Sequence, residues 1–288
     1  IFTNLTRDHL DYHKTFKNYF NSKLILFKKL LKKKSFAIYD NDLKISSDLN
    51  NITRLNNIKR LTLGNTKSSF TIIDHQFLKD EQKITFRYDK RQYSFSTKLI
   101  GRVQIKNLLM AIMAAMKSKI SLEKILKVTR NIKPVNGRLE KIGSLYNNGI
   151  VILDYAHTPD ALTTCIKNVK EQFKLRKINL VFGCGGERDR PKRKIMGAIA
   201  NKYCNKIYLT DDNPRREDPE KIRKDVKSNI AKNKVLEIPS RERAIKSAIM
   251  DINSSDVVII AGKGHEVYQE YVSKKFFSDK KCIEKFIT

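Results

Sequence analysis

No stretch of this sequence approaches the roughly 20 consecutive apolar residues of a bilayer-spanning helix, and no signal peptide opens it. The expectation is a cytoplasmic protein with no membrane partner. Cysteine is scarce: Cys165, Cys184, Cys204 and Cys282 lie far apart and form no C-x-x-C pair. That argues against a disulfide framework or a structural zinc site and suits a reducing compartment. Proline and glycine are few, at six and eleven residues, and with 40% hydrophobic residues they describe a globular chain rather than a disordered one. Acidic residues are outnumbered, 30 against 59 basic ones, for a formal charge of +29. Such an excess raises the prospect of a nucleic-acid partner. The lysines, however, are spread along the chain among Ile and Asn. The densest cluster, Lys28-Lys29 through Lys32-Lys33-Lys34, shares a helical stretch with Leu30 and Leu31 as a solvated face. No RNP, zinc-finger or Gly-x-x-Gly RNA-clamp pattern accompanies it, so anionic small molecules are expected as partners and nucleic acid is not.

What is present falls into two textures. The 288 residues suit one large or two ordinary domains. Residues 1–136 open with a polar motif and a helical stretch from Phe16 to Leu31. Short alternating strands follow, among them Phe70–Ile73 and Lys83–Tyr88. Two helices close the region, Ile105–Lys117 and Leu122–Asn131, the second capped by Ser121. Pro134 through Gly137 breaks the pattern as a linker. In residues 137–288 strands and helices alternate. Ile150–Leu153 leads to a helix near Pro159, Ile178–Phe182 to one near Lys192, Ile207–Thr210 to one at Pro219, and Lys234–Ile238 to one at Arg241. Val257–Ala261 ends in a glycine turn. Nearly all-apolar strands alternating with helices predict a mostly parallel sheet covered on both faces. Right-handed crossovers would place every strand-to-helix turn on one edge.

The polar residues of this half gather in those turns. They read Asp154-Tyr155-Ala156-His157-Thr158-Pro159, then Gly183-Cys184-Gly185-Gly186-Glu187-Arg188, then Asp211-Asp212-Asn213-Pro214-Arg215, and last Gly262-Lys263-Gly264-His265-Glu266. The crevice beyond the carboxyl ends of the strands is the usual ligand site in open α/β sheets. An Arg fork beside an Asn suits a carboxylate held in one orientation, although a polar turn capping a helix would read the same. The glycines allow backbone to approach a ligand, with Arg188 available to an anion; tight connections use glycine for their own reasons too. Asp154 suits a ribose hydroxyl or a metal, or a helix cap. Glu266 suits an ammonium group. Of five histidines, His9, His13, His157 and His265 fall in polar turn motifs, and only His75 does not. In the opening segment, Asn4 to His13, histidine and carboxylate together suit Mg²⁺ or Mn²⁺.

As an ordered set, Thr3–His13, Gly137-Arg138, Asp154–Leu162, Phe182–Ala200, Thr210–Arg215 and Ala261–Gln269 resemble the Mur ligase family along the whole chain. The resemblance implies an α/β fold. The later part of a central mononucleotide-binding ATPase domain would occupy residues 1–136, and a Rossmann-like C-terminal domain with a mostly parallel sheet residues 137–288. It implies ATP-driven amide-bond formation through an acyl phosphate, with ATP and Mg²⁺ as cofactors. Within the family the Asp-Asn-Pro-Arg turn accompanies members that add meso-diaminopimelate to UDP-N-acetylmuramoyl-L-alanyl-D-glutamate (UDP-MurNAc-dipeptide), whereas lysine-adding members lack the Arg. His9 matches the Mg²⁺ ligand and Lys23 the lysine that becomes a metal-binding carbamate; these two are the expected catalytic pair. Asn107 matches the asparagine near the adenine, and Arg138 and Asp154 the residues that reach ATP. Arg188, Asp212, Asn213, Pro214, Arg215, Gly262 and Glu266 match the amino-acid pocket. The likeness departs in lacking a Gly-x-x-Gly-Lys-Thr phosphate loop, the upstream metal-binding glutamate and the UDP-binding domain. With a start at Ile1 instead of Met, the expectation is a monomeric fragment, inactive as a ligase alone. Another amino-acid ligase of the superfamily, adding lysine or glutamate, and a basic module without catalysis are the alternatives.

Overall fold

The computed structural model describes residues 1–6, 10–145 and 148–287. The chain divides into two compact units, Ile1–Lys133 and Pro134–Thr288.

The first unit contains α1 (Leu10–His13), α2 (Phe16–Ile25), β1 (Phe36–Asp40), α3 (Ser46–Leu55), β2 (Lys59–Gly64), β3 (Phe70–Phe77), β4 (Gln82–Tyr88), β5 (Arg91–Thr97), α4 (Arg102–Met116) and α5 (Leu122–Val128). Its sheet runs β1-β2-β3-β4-β5, parallel from β1 to β3 and antiparallel from β3 to β5. Alternate residues of a strand face opposite ways, and β1 serves two cores by this means. Ile38 joins Leu63, Phe70, Phe86 and the Leu109 and Met113 side chains of α4. Ala37 and Tyr39 join Phe2, Leu24, Phe27 and Leu49 on the other face. The helix expected from Phe16 to Leu31 ends its α-helical part at Ile25 and continues as a widened π turn, Leu26–Leu30. Leu31 N–H closes that turn on Leu26 O at 2.9 Å. The wider turn seats Phe27, 1% exposed, in the core while Lys28 and Lys29 stay in solvent. Burial of a phenyl ring at about 1.5–3 kcal/mol offsets the poorer geometry of a π turn.

The second unit contains β6 (Glu140–Ser144), β7 (Ile150–Asp154), α6 (Pro159–Gln172), β8 (Lys177–Phe182), α7 (Pro191–Tyr203), β9 (Lys206–Leu209), α8 (Pro219–Lys227), β10 (Val235–Glu237), α9 (Arg241–Met250), β11 (Asp256–Ala261), β12 (Tyr268–Glu270), β13 (Lys274–Phe276) and α10 (Asp279–Glu284). Its main sheet has the order β10-β9-β8-β11-β7-β6, parallel throughout except for the edge strand β6. Strands β7 and β11 are buried at every position, as interior parallel strands covered on both faces must be. Proline opens α6, α7 and α8, where its missing N–H costs nothing. Thr158, Asp218 and Ser240 cap α6, α8 and α9 through side-chain oxygens. The turns after β7, β8, β9 and β11 consequently share one edge of the sheet.

In the second unit β6, the β12–β13 hairpin and α10 escape the sequence pattern, as α3 does in the first. β6 is a polar edge strand, and β12 and β13 are three residues each, too short for periodicity to show.

Candidate functional site

Two glycines let the turns approach one another. A Cβ on Gly186 would lie 1.9 Å from Pro214 O, so the turns after β8 and β9 touch backbone to backbone. Gly264, at φ +52, sits where a Cβ would meet Tyr155 Cβ at 2.7 Å, which brings the turn after β11 against the one after β7.

The turn after β9 is held from several sides. Asp211 is paired with Arg223 and accepts from Tyr271 OH at 3.0 Å; Gln269 Nε2 donates to Asp211 O at 3.2 Å. Its neighbour Asp212 differs: among the described residues its buried Oδ2 has no hydrogen-bond partner, and neither has Arg241 Nη1, 3.9 Å away. Gly262, at φ +116, runs beside that oxygen, where an added Cβ would come within 2.7 Å of it. Asn213 is buried; Oδ1 accepts from Lys263 Nζ at 2.8 Å and Glu270 N at 2.9 Å, and Nδ2 donates to Glu266 Oε2 at 3.1 Å. Lys263 Nζ also donates to Glu266 Oε2, at 3.0 Å.

Pro214 lends its carbonyl to the Glu217 N–H at 3.1 Å and leads into Arg215, whose φ is +57. The Arg215 guanidinium turns partly inward. Nη1 donates to Gly186 O at 2.7 Å, and Nε lies 3.3 Å from Glu270 Oε2. Nη2 has no hydrogen-bond partner among the described residues. Arg188 is exposed, with its Cγ 4.0 Å from where a Cβ on Gly185 would sit, and the same position lies 3.1 Å from Arg215 Nη1. The sequence-expected residues 188, 212, 213, 214, 215, 262 and 266 thus meet around one sheet edge. On this edge the Arg215 guanidinium and the Glu266 carboxylate offer a cation and an anion, the complement of a zwitterionic amino acid.

A second group surrounds Tyr155. The Arg138 guanidinium lies 4.6 Å over its ring, and the rings of His157 and His265 lie 4.6 and 5.2 Å away. His157 Nδ1–H donates to Tyr155 O at 2.9 Å. Burial, then the nearby Glu266 carboxylate, pushes the Tyr155 hydroxyl above its ordinary value. Asp154 is engaged by its own backbone: Oδ2 accepts from Leu139 N at 2.8 Å and Oδ1 from Ala156 N at 2.9 Å. Burial raises its carboxyl above the usual carboxylate value, against the pull of those two donors. Asp154 therefore ties the segment before β6 to the end of β7, a task its position in the sequence does not announce.

Lys23 and Asn107 belong to the first unit. Lys23, on α2, is half-buried with Nζ 5.0 Å from the centre of the Tyr19 ring, and it lines a cavity of about 400 Å³ with Thr3, Asn4, Ser22 and Leu26. Asn107 is exposed on α4, beside Lys106, which bonds the buried Asp40 at 2.5 Å. His9 lies outside the described residues. Among the described residues no group of three His, Cys, Asp or Glu side chains converges to hold a metal, and no step below depends on Mg²⁺.

Two features went unseen in the sequence. Lys263 reads as part of a glycine turn, yet its side chain is 0% exposed. Arg193 reads as one of many basic residues on α7, yet it is 1% exposed and grips Glu217 with two bonds of 2.7 Å. That guanidinium lowers the Glu217 carboxyl to about 2. A Gly-Lys-Gly turn following an all-apolar strand is the one signal that could have marked Lys263 as buried.

Residues 1–115 match the Mur ligase middle domain and residues 137–264 the Mur ligase, glutamate ligase domain. The UDP-N-acetylmuramoyl-L-alanyl-D-glutamate–2,6-diaminopimelate ligase of Rickettsia rickettsii is 39% identical over 289 residues, covering 99% of this chain and 59% of that protein. The chain thus spans about three-fifths of the length of such relatives. A solved structure of a ligase of the same name aligns over 98% of this chain and 58% of its own, at 32% identity and a TM-score of 0.66. The MurF ligase of Thermotoga maritima in complex with ADP shares the fold, with a TM-score of 0.73 at 15% identity, over 99% of this chain and 60% of that one.

Proposed function

The chain belongs to the Mur ligase family, and from that premise we propose that it serves the ATP-dependent addition of meso-2,6-diaminopimelate to UDP-N-acetylmuramoyl-L-alanyl-D-glutamate, in peptidoglycan precursor synthesis. In this reading residues 137–288 are the amino-acid-binding domain and residues 1–136 belong to the central ATPase domain of a cytoplasmic, monomeric enzyme. ATP supplies the phosphoryl group that activates the substrate's γ-carboxylate, and the amine of diaminopimelate then displaces phosphate. The protein's part is positioning and charge neutralisation. Arg138 and Asp154, beside Tyr155, are assigned to the nucleotide, with Asn107 near the adenine. Lys23 is assigned as a carbamate and, with His9, to Mg²⁺.

One observation carries the choice of amino acid: Arg215 keeps Nη2 without a hydrogen-bond partner among the described residues, two residues from Asn213, whose amide bonds Glu266 at 3.1 Å. Diaminopimelate has a second carboxylate for that guanidinium; lysine has none. Isothermal calorimetry of the chain with meso-diaminopimelate and with L-lysine tests it. The expected result is binding of diaminopimelate at least tenfold tighter than lysine. Equal or tighter binding of lysine would overturn the assignment.

A further inference from the structure

Lys263 has no part in the chemistry so far, although lysine is almost never fully buried unless it is paired. Its ammonium donates to Asn213 Oδ1 at 2.8 Å and Glu266 Oε2 at 3.0 Å, and lies 5.3 Å from the centre of the Tyr268 ring. Asn213 Oδ1 takes a second donor, the Glu270 backbone N–H, at 2.9 Å. With two donors aimed at one atom, only the amide oxygen can stand there, since an amide nitrogen accepts from neither. The amide nitrogen is thereby directed to Glu266 Oε2, at 3.1 Å. Glu266 Oε2 receives both Lys263 and Asn213, whereas Oε1 has Tyr155 OH at 3.5 Å.

The geometry points to Lys263 as the positioning residue of the amino-acid pocket, an internal cation that locks the Asn213 amide and one oxygen of Glu266 so that Oε1 is presented to the ammonium group of the incoming amino acid. The presenting role rests on the proposed amino-acid site; the locking does not. Lys263 is fully buried and acts through Asn213 and Glu266. It acts by removing the rotations through which the Asn213 amide and Glu266 Oε2 would otherwise part and turn to water. A buried network of this kind is rigid only while every member is satisfied.

The two parts separate experimentally. Hydrogen exchange of the Asn213 side-chain amide, followed by NMR on the full chain without ligand, reads the locking. Calorimetry with meso-diaminopimelate reads the presentation. In K263M the Asn213 amide is expected to exchange at least tenfold faster, and diaminopimelate to bind at least tenfold more weakly, with the backbone spectrum of the sheet retained. In E266Q the amide is expected to keep its slow exchange, because Lys263 and Glu270 still hold Oδ1, while diaminopimelate binding falls. Unchanged exchange in folded K263M overturns the proposal. If K263M does not fold, E266Q decides it: slow exchange supports the lock and fast exchange overturns it. Should the unaltered protein fail to bind diaminopimelate while its Asn213 amide is locked, the amino-acid reading falls, and the presenting role with it.

Discussion

Arg215 divides its guanidinium between the protein and the space beyond it. Nη1 and Nε hold Gly186 O and Glu270, which aims the fork; Nη2 remains for a ligand. Arg215→Ala is therefore expected to weaken meso-diaminopimelate binding by about 2–5 kcal/mol, the range for one half of a desolvated charge pair. Lysine binding should change far less. Calorimetry with both ligands checks this, and an equal loss for the two would show that the turn had collapsed instead. Gly186 sets a second limit at this scale. Any Cβ there would be 1.9 Å from Pro214 O, so Gly186→Ala must push two turns apart. Overpacking of this kind costs about 1–3 kcal/mol, measurable as a lower urea midpoint. The sequence shows both residues as polar-turn members, but nothing local in it says that Arg215 faces Gly186 or that Lys263 lies beneath Asn213. Those pairs are 29 and 50 residues apart.

Helix starts are legible because they are local. Thr158-Pro159, Asp218-Pro219 and Ser240 place caps within a residue or so of where α6, α8 and α9 begin. The hairpin β12–β13 is not legible, yet Glu270 at its first strand's end orients Asn213 and Arg215 together. The clamp from α7 is equally hidden. Arg193 holds Glu217, which in turn accepts from Glu187 N at 3.0 Å, so one carboxylate ties α7 to the turns after β8 and β9. Its pH dependence follows from the sign of the shift. The Glu217 carboxyl is lowered from 4.5 to about 2, chiefly by the Arg193 hydrogen bonds, so the ionised pair stabilises the fold fully above pH 4.5. That stabilisation is lost as pH falls from 4.5 toward 2. Glu217→Gln is expected to lower the melting temperature at pH 7 and to converge on the unaltered protein near pH 2. Thermal melts across that range test it; a constant difference would show that the charge of Glu217 is not what matters.

At the scale of the whole molecule, the formal charge of +29 is the dominant long-range term. Like charges repel in the compact state, and salt screens them over about 10 Å at 0.1 M. Raising NaCl from 10 to 200 mM is therefore expected to raise the melting temperature by a few degrees. A fall would mean that the ion pairs, such as Arg193 with Glu217 and Arg241 with Asp279, outweigh the net repulsion. No helix among the described residues is long and apolar enough to cross a membrane.

The α/β architecture, the parallel sheet of the second unit and the family were determined by the sequence alone. Strand alternation, proline at helix starts and turn composition act within a few residues, where a chain's preferences can be read directly. The tertiary structure decided which polar groups meet. Strand order β8-β11-β7 inserts the last long strand between two earlier ones, and this carries Gly262–Glu266 to the Asp211–Arg215 turn. Only that juxtaposition turns Lys263 from a lysine in a glycine turn into a buried cation between Asn213 and Glu266: Glu266 is three residues on, but the bond to Asn213 depends on a turn 50 residues away and not on local preference.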